Sequence, residues 1–194
     1  MNYRYKYRKS HGWAGFLILV VLTLLSVAQS QGWISEGNQA VKDNQPGLYT
    51  VSQFVDGDTI TVNMNGKSEK IRMIGVDTPE THKPNSPVQC YGPAASAFTK
   101  SYLTGKNFRL VSDSLSTNRD RYSRLLRYVV LPDGINFNKL LIEKGYGFYY
   151  PYFPFTKSVE FEAAQTAAKS KVIGVWLNCT PTQNDKGGFT SNNL

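Results

Sequence analysis

The amino-acid sequence predicts an α+β protein that is mainly a β barrel, and three observations support this fold class. Several short segments alternate polar and apolar residues with a period of two, as half-buried strands do. The dipeptides Asp56-Gly57 and Asn65-Gly66 separate such segments and are typical of hairpin turns. Apolar residues at helical spacing appear only in the later part of the chain.

The first three predicted strands form a meander. They are residues 48–55, 59–64 and 70–76. Asp58 follows the first turn, and Asp77 stands where the third strand ends before Pro79. Because a meander can bring its two ends together, we expect Asp58 and Asp77 to lie side by side.

The rest of the domain contributes two strands and three helices. In chain order these are a loop at 81–89, a helix at 93–103, a strand at 107–111, a polar loop at 112–120, a strand at 125–130, a turn at 132–134, and helices at 136–144 and 159–171. Pro93 is typical of a first helical turn, and Gly145 of a helix end. Five strands with helices inserted late predict a five-stranded OB-fold barrel, although composition alone leaves an SH3-like barrel open.

The chain divides into four parts. We expect residues 1–28 to be a signal peptide or N-terminal membrane anchor, 29–47 a linker, 48–179 the folded domain and 180–194 a flexible tail. The first part has a basic leader, an apolar run and a small-x-small site at Ser26-Val27-Ala28. The run is shorter than the roughly twenty apolar residues of a full span, which favours cleavage before Gln29. The folded part is therefore expected to be exported, and either secreted or anchored at the outer face of the membrane.

Net charge and cysteine content limit the kinds of ligand and metal site that the chain can be expected to have. The net charge is +8, and the leader supplies four of these charges, so the remainder carries a modest basic excess compatible with binding a polyanion. The two cysteines, Cys90 and Cys179, are expected to form a disulfide in an exported chain. Two free buried thiols are the alternative, and two cysteines are too few for a metal site of their own.

The acidic residues of segment 56–80 indicate a metal site. Two adjacent carboxylates, Asp58 and Asp77, repel each other unless a positive charge offsets theirs. A hard divalent cation with oxygen ligands is the usual partner. Glu80 lies within reach of a water molecule held there, and Arg72 can contact an anionic substrate. A lone Asp-Gly-Asp would indicate only a solvated turn, but the whole set at this spacing points to catalysis.

At these residues the chain resembles a known family. D-G-D-T at 56–59, R-x-x-G-V-D-T-P-E at 72–80, Y-G-P-A-A-S-A-F-T-K at 91–100 and D-R-Y-S-R-L at 120–125 resemble the staphylococcal nuclease (thermonuclease) family. The resemblance extends over about residues 48–178 with the motifs in the family's order. It implies the same OB-fold and the cleavage of DNA and RNA to products with 3′-phosphates.

The resemblance also implies roles for individual residues. Asp58 and Asp77 match the family's Ca²⁺ ligands, and Thr78 matches the residue that lends its backbone carbonyl. Glu80 matches the proposed general base. Arg72 and Arg124 match the two catalytic arginines that bind phosphate.

Two further positions bear on the substrate. Arg121 and Tyr122 fall where the family holds a basic residue and a tyrosine against a terminal phosphate. Ser123 departs from the family, which commonly has glycine there. The aromatic segment 146–155 is expected to supply mostly core residues, with one or two rings facing substrate.

The sequence therefore predicts a secreted or envelope-associated, calcium-dependent nuclease. The partner is nucleic acid, membrane contact is transient and limited to the N-terminal segment, and the chain is expected to be a monomer. A non-catalytic OB-fold binding module is the main alternative. The presence of Glu80 together with Arg72 and Arg124 argues against that alternative. An envelope-anchored interaction protein is a third possibility and would retain the segment before Gln29.

Overall fold

A computed structural model describes residues 47–81 and 86–194. All described residues belong to one compact unit. The predicted signal peptide or anchor and nearly all of the predicted linker lie outside the described residues. Within the described ranges, no helix has the length and apolarity needed to cross a membrane.

The described residues form nine strands and four helices. In chain order these are β1 (Val51–Phe54), β2 (Thr59–Met64), β3 (Lys67–Met73), β4 (Val76–Asp77), α1 (Gly92–Leu103), β5 (Arg109–Val111), β6 (Leu125–Val130), α2 (Phe137–Glu143), β7 (Phe148–Tyr149), α3 (Ser158–Ser170), α4 (Val175–Asn178), β8 (Thr182–Gln183) and β9 (Phe189–Thr190). The three predicted helices are present, and the four-residue α4 was not predicted.

The main sheet has the strand order β1-β2-β3-β6-β5. β3 and β6 run parallel, and the other neighbours are antiparallel. The sheet closes because Tyr49, just before β1, pairs with Phe108, just before β5, through backbone hydrogen bonds of 2.8 and 2.9 Å. Inward residues such as Ile60, Val62 and Ile71 are fully buried. A closed, five-stranded barrel with this order confirms the predicted OB-fold.

The third strand is shorter than predicted at its C-terminal end. The alternating pattern placed it at 70–76, whereas β3 ends at Met73 and Val76–Asp77 pairs with β7 instead. Gly75 breaks the strand because its φ of +74° is a left-handed conformation. A Cβ at Gly75 would lie 2.6 Å from the ring of Phe155, so a larger residue does not fit there. This break turns Asp77 out of the β3 ladder.

The C-terminal residues correct the prediction of a flexible tail at 180–194. β8 and β9 form a hairpin, and the ring of Phe189 packs 5.0 Å from that of Trp176 and 6.1 Å from that of Phe148. The predicted disulfide is present: Cys90 and Cys179 are bonded, with their Cα atoms 5.9 Å apart. The composition of this segment indicated a loose tail, because it does not show that the disulfide and the Phe189 contacts join the segment to residues far away in the chain.

Candidate active site

The predicted site residues gather at one end of the barrel. Asp58 precedes β2, directly after the Asp56-Gly57 turn. Arg72 lies near the end of β3, where it pairs with Thr59 across the β2–β3 ladder. β4 then brings Asp77 to the same end. The meander thus assembles the acidic cluster that the sequence predicts.

Arg72 lies between the two aspartates. Its Nη1 is 2.9 Å from Asp58 Oδ2, and its Nη2 is 2.7 Å from Asp77 Oδ1. Nη1 also donates to the carbonyl of Val76 at 2.7 Å. Burial alone would lower the pKa of Arg72, but Asp58 and Asp77 hold it above its ordinary value. The guanidinium is therefore a fixed positive charge that holds both carboxylates in place.

Asp58 is also tied to Thr78, twenty residues further along the chain. Its Oδ2 accepts hydrogen bonds from Thr78 N at 2.9 Å and Thr78 Oγ1 at 3.2 Å. Gly57 permits this approach, because a Cβ there would lie 2.7 Å from Thr78 Oγ1. The three residues assigned to the metal, Asp58, Asp77 and Thr78, thus lie together.

The pKa of Asp77 is raised by its surroundings in the cluster. Loss of solvent around its carboxylate, with repulsion from Asp58 and Glu80, outweighs the attraction of Arg72 and raises the pKa of Asp77 to about 7. Its side chain still keeps 39% of its exposure, so the carboxylate faces the cleft. The cluster has more negative charge than Arg72 alone can offset.

This donor set fits a hard divalent cation. Such cations prefer carboxylate and carbonyl oxygens as ligands, and an added cation would relieve the repulsion at Asp77. In the ranges that the structure describes, no group of three or more His, Cys, Asp or Glu residues is arranged around a metal position. A cation at Asp58 and Asp77 would therefore complete its coordination with the Thr78 carbonyl and water.

Arg124 reaches the same cluster from the loop before β6. Its Nε is 2.7 Å from Asp120 Oδ2, and its Nη1 donates to Thr59 Oγ1 at 3.5 Å. Thr59 Oγ1 in turn donates to Asp58 Oδ1 at 2.9 Å. A continuous polar chain thus joins Arg124 to the carboxylate of Asp58.

Asp120 organises this loop, a role the sequence analysis did not assign. Its Oδ1 accepts hydrogen bonds from the backbone N–H groups of Tyr122 at 2.9 Å and Arg124 at 3.0 Å. Ser123 between them has a φ of +62°, which explains why glycine suits this position. The only sign of this role in the sequence was that Asp120 stands four residues before Arg124, and that spacing is common to many ion pairs.

Arg121 and Tyr122 lie on the exposed side of the same loop. Tyr122 is 65% exposed. The guanidinium carbons of Arg121 and Arg124 lie 4.8 and 5.5 Å from the centre of its ring. These two residues therefore lie beside Arg124, and their contact with a terminal phosphate stays a prediction.

The aromatic segment divides between core and cleft. Phe148 and Phe155 are buried, at 2% and 4% exposure. Tyr150 instead lies beside Arg72, whose guanidinium carbon is 5.6 Å from the ring centre, and Tyr152 follows at 4.6 Å from Tyr150. The sequence could not select Tyr150, because its position depends on the pairing of β4 with β7.

Glu80 lies just beyond this cluster and is half-buried. Its charge contributes to the raised pKa of Asp77, which places the carboxylate near the site. Its backbone is held on both sides by Gln89: Glu80 N donates to Gln89 Oε1 at 2.8 Å, and Gln89 N donates to Glu80 O at 2.9 Å. The candidate base thus stands on an anchored stretch of backbone.

Comparison with known proteins gives a consistent result. A family model described as staphylococcal nuclease homologue matches residues 70–178, more than half of the chain. A protein named thermonuclease from Staphylococcus intermedius is 39% identical over 163 residues, covering 84% of this chain and 95% of its own length. A thermonuclease from Staphylococcus hyicus is also 39% identical, covering 82% and 92%. Endonuclease YncB from Bacillus subtilis is 38% identical over 145 residues, covering 74% and 64%. On this evidence, the chain belongs to the staphylococcal nuclease family.

Proposed function

We propose that the chain is an exported, calcium-dependent nuclease that hydrolyses phosphodiester bonds of DNA, RNA or both to 3′-phosphate products. Membership of the family makes it a nuclease of the staphylococcal type. The proposed hydrolytic mechanism rests above all on one observation. Asp58, Asp77 and Arg72 form a compact charged cluster, and Thr59 connects it to Arg124.

In this proposal the two arginines bind the phosphate. Asp120 fixes Arg124 through Nε, so the other edge of the planar guanidinium is directed away from that carboxylate. Such an edge can donate two parallel hydrogen bonds to non-bridging phosphate oxygens. Arg72 adds a buried positive charge beside the acidic ligands. A bound calcium ion would offset further phosphate charge and orient the attacking water.

Glu80 supplies the base in this proposal. Its carboxylate takes a proton from the attacking water, whose oxygen forms a bond to phosphorus. The bond from phosphorus to the 5′-oxygen breaks, and that oxygen is protonated by solvent. The phosphate remains on the 3′-oxygen, which accounts for the expected product.

Export is supported by the leader sequence and by the disulfide. Residues 1–28 combine a basic start, an apolar run and a small-x-small site. The Cys90–Cys179 bond is of a kind that persists in oxidising compartments. Both features are consistent with a chain that works outside the cytosol.

The test is cleavage of a labelled oligonucleotide during a calcium titration, with a chelator as the blank. We expect half-maximal activity at about 10⁻⁴–10⁻³ M calcium, because so few charged ligands are offered. Asp58→Asn should abolish cleavage or raise the calcium requirement. Asp185→Asn, at an exposed position in the β8–β9 turn, is the matched control and should behave as wild type.

Product ends are read in the same samples. Fragments with 3′-phosphates should resist extension by a polymerase until phosphatase removes the phosphate. Full activity in the presence of chelator would refute the metal requirement. Fragments that are extended directly would refute the proposed bond specificity.

A further inference from the structure

The backbone of Glu80 is held by a two-point contact with Gln89. The side-chain amide oxygen of Gln89 accepts from Glu80 N at 2.8 Å, and the backbone N–H of Gln89 donates to Glu80 O at 2.9 Å. On the other side, α1 begins close by: a Cβ at Gly92 would lie 2.8 Å from Glu80 O. The peptide groups around Glu80 are therefore fixed between Gln89 and the start of α1.

Gln89 is in turn held by the end of the chain, residues 179–194, which we call the C-terminal clasp. Gln89 pairs with Asn193 as an antiparallel bridge. Leu194 N donates to Val88 O at 2.9 Å, and Cys90 N donates to Asn192 O at 2.7 Å. The clasp thus adds a short strand along residues 88–90, directly beside the contact with Glu80.

The clasp is itself anchored at both ends. The Cys90–Cys179 disulfide joins its first residue to the residue after Gln89. Near its other end, Ser191 is buried and donates to Cys90 O at 2.9 Å. Between these points Phe189 packs on Trp176 and Phe148. A movement of the clasp would therefore be transmitted to Gln89 rather than absorbed by a loose linker.

We propose that Gln89 is a positioning residue for Glu80, and that the C-terminal clasp keeps Gln89 in the productive position. This inference rests on the proposed function, in which Glu80 is the base. The family model matches only as far as residue 178, so the clasp lies beyond the matched domain. Since a general base must lie within hydrogen-bonding reach of its proton, a small shift of its backbone is costly.

The direct test compares Gln89→Leu with Gln89→Glu in the full exported protein. Leucine removes the acceptor for Glu80 N, and we expect kcat to fall about 10- to 100-fold, as for a misplacement on the ångström scale. KM and the calcium requirement should change little, because the phosphate and metal ligands are untouched. Glutamate keeps an acceptor oxygen at the same place and should restore most of kcat.

A double variant shows whether Gln89 acts through Glu80. In a Glu80→Gln background the base is already lost, so adding Gln89→Leu should have almost no further effect on kcat. A full additional loss in that background would overturn the positioning role and leave a general structural one. Wild-type kcat in Gln89→Leu would overturn it as well.

The clasp is tested by the Cys90→Ser/Cys179→Ser variant, with Thr182→Ala on the exposed face of β8 as its control. Opening the disulfide should lower kcat towards the Gln89→Leu value at a temperature where circular dichroism shows a folded domain. An unchanged kcat would overturn the role of the clasp. If wild type with calcium cleaves nothing, the proposed function fails and this inference with it; if wild type cleaves and all variants match it, only this inference fails.

Discussion

Replacing Arg124 with lysine should slow hydrolysis severely without unfolding the domain. Asp120 Oδ2 holds Nε at 2.7 Å, and Thr59 Oγ1 accepts from Nη1 at 3.5 Å. No described residue accepts a hydrogen bond from Nη2. The guanidinium can therefore keep its support from Asp120 while it presents a second edge to the phosphate.

Lysine cannot make both contacts, because its single ammonium group lacks the planar fork. Losing one hydrogen bond between charged groups costs about 1.5–3 kcal/mol. If this bond is made mainly in the transition state, the loss corresponds to about a 10- to 200-fold decrease in kcat. Because the charge is retained, oligonucleotide affinity should change much less than kcat.

The assay measures kcat, KM and oligonucleotide affinity for wild type and Arg124→Lys, with circular dichroism to verify folding. Arg109→Lys is the matched control, since Arg109 is an exposed arginine on β5 that takes no part in the cluster described above. Wild-type kcat in Arg124→Lys would refute the bidentate contact. An equal loss in both variants would show that the effect is not specific to the guanidinium of Arg124.

Three further predictions concern stability and processing. Asp113→Asn should lower the free energy of unfolding by about 1–3 kcal/mol, since buried Asp113 accepts hydrogen bonds from Tyr128 and Thr156. Burial would raise the pKa of Asp113, but these hydrogen bonds hold it below its ordinary value. The contribution of Asp113 to folding stability is therefore present above about pH 4 and is lost as the pH falls through the folded-state pKa. Unfolding curves at several pH values should show this loss in wild type and a flatter pH dependence in the variant. Ser123→Gly should raise the melting temperature, because serine at a positive φ is strained by about 1 kcal/mol. The variant should leave kcat unchanged. A lower melting temperature would contradict this account of the loop. N-terminal sequencing of exported protein should begin near Gln29, whereas Met1 or Asn2 would favour an anchor.

Local signals predicted the barrel well. The bounds of β2 and β6 agree with the alternating or β-prone segments. Asn65 and Gly66 both have positive φ, 54° and 83°, as a type I′ hairpin requires. These features follow from side-chain period and turn chemistry, which are properties of a few neighbouring residues.

Features that depend on distant contacts were missed. The break of β3 at Gly75 depends on Phe155, eighty residues away in the chain. The C-terminal hairpin depends on the disulfide and on Phe189, while its own composition resembles a loose tail. The pattern of residues within one segment does not identify the distant residues that pack against that segment.

The candidate site shows the same division. The sequence predicted that Asp58 and Asp77 lie side by side, but it did not place Arg72 between the two carboxylates. Asp120 and Gln89 were not found, because each acts by holding another residue. Their hydrogen bonds are defined only once the loops are folded.

Substitution of Glu80, the proposed base, tests the central claim most directly. Glu80→Gln keeps the size of the side chain and removes its ability to take a proton. With calcium present, we expect wild type to cleave an oligonucleotide and Glu80→Gln to lose about 10²–10⁴-fold in kcat, while both bind the oligonucleotide with similar affinity. If wild type cleaves nothing under these conditions yet binds the oligonucleotide as tightly as Glu80→Gln does, the domain is a binding module and the hydrolase account is wrong.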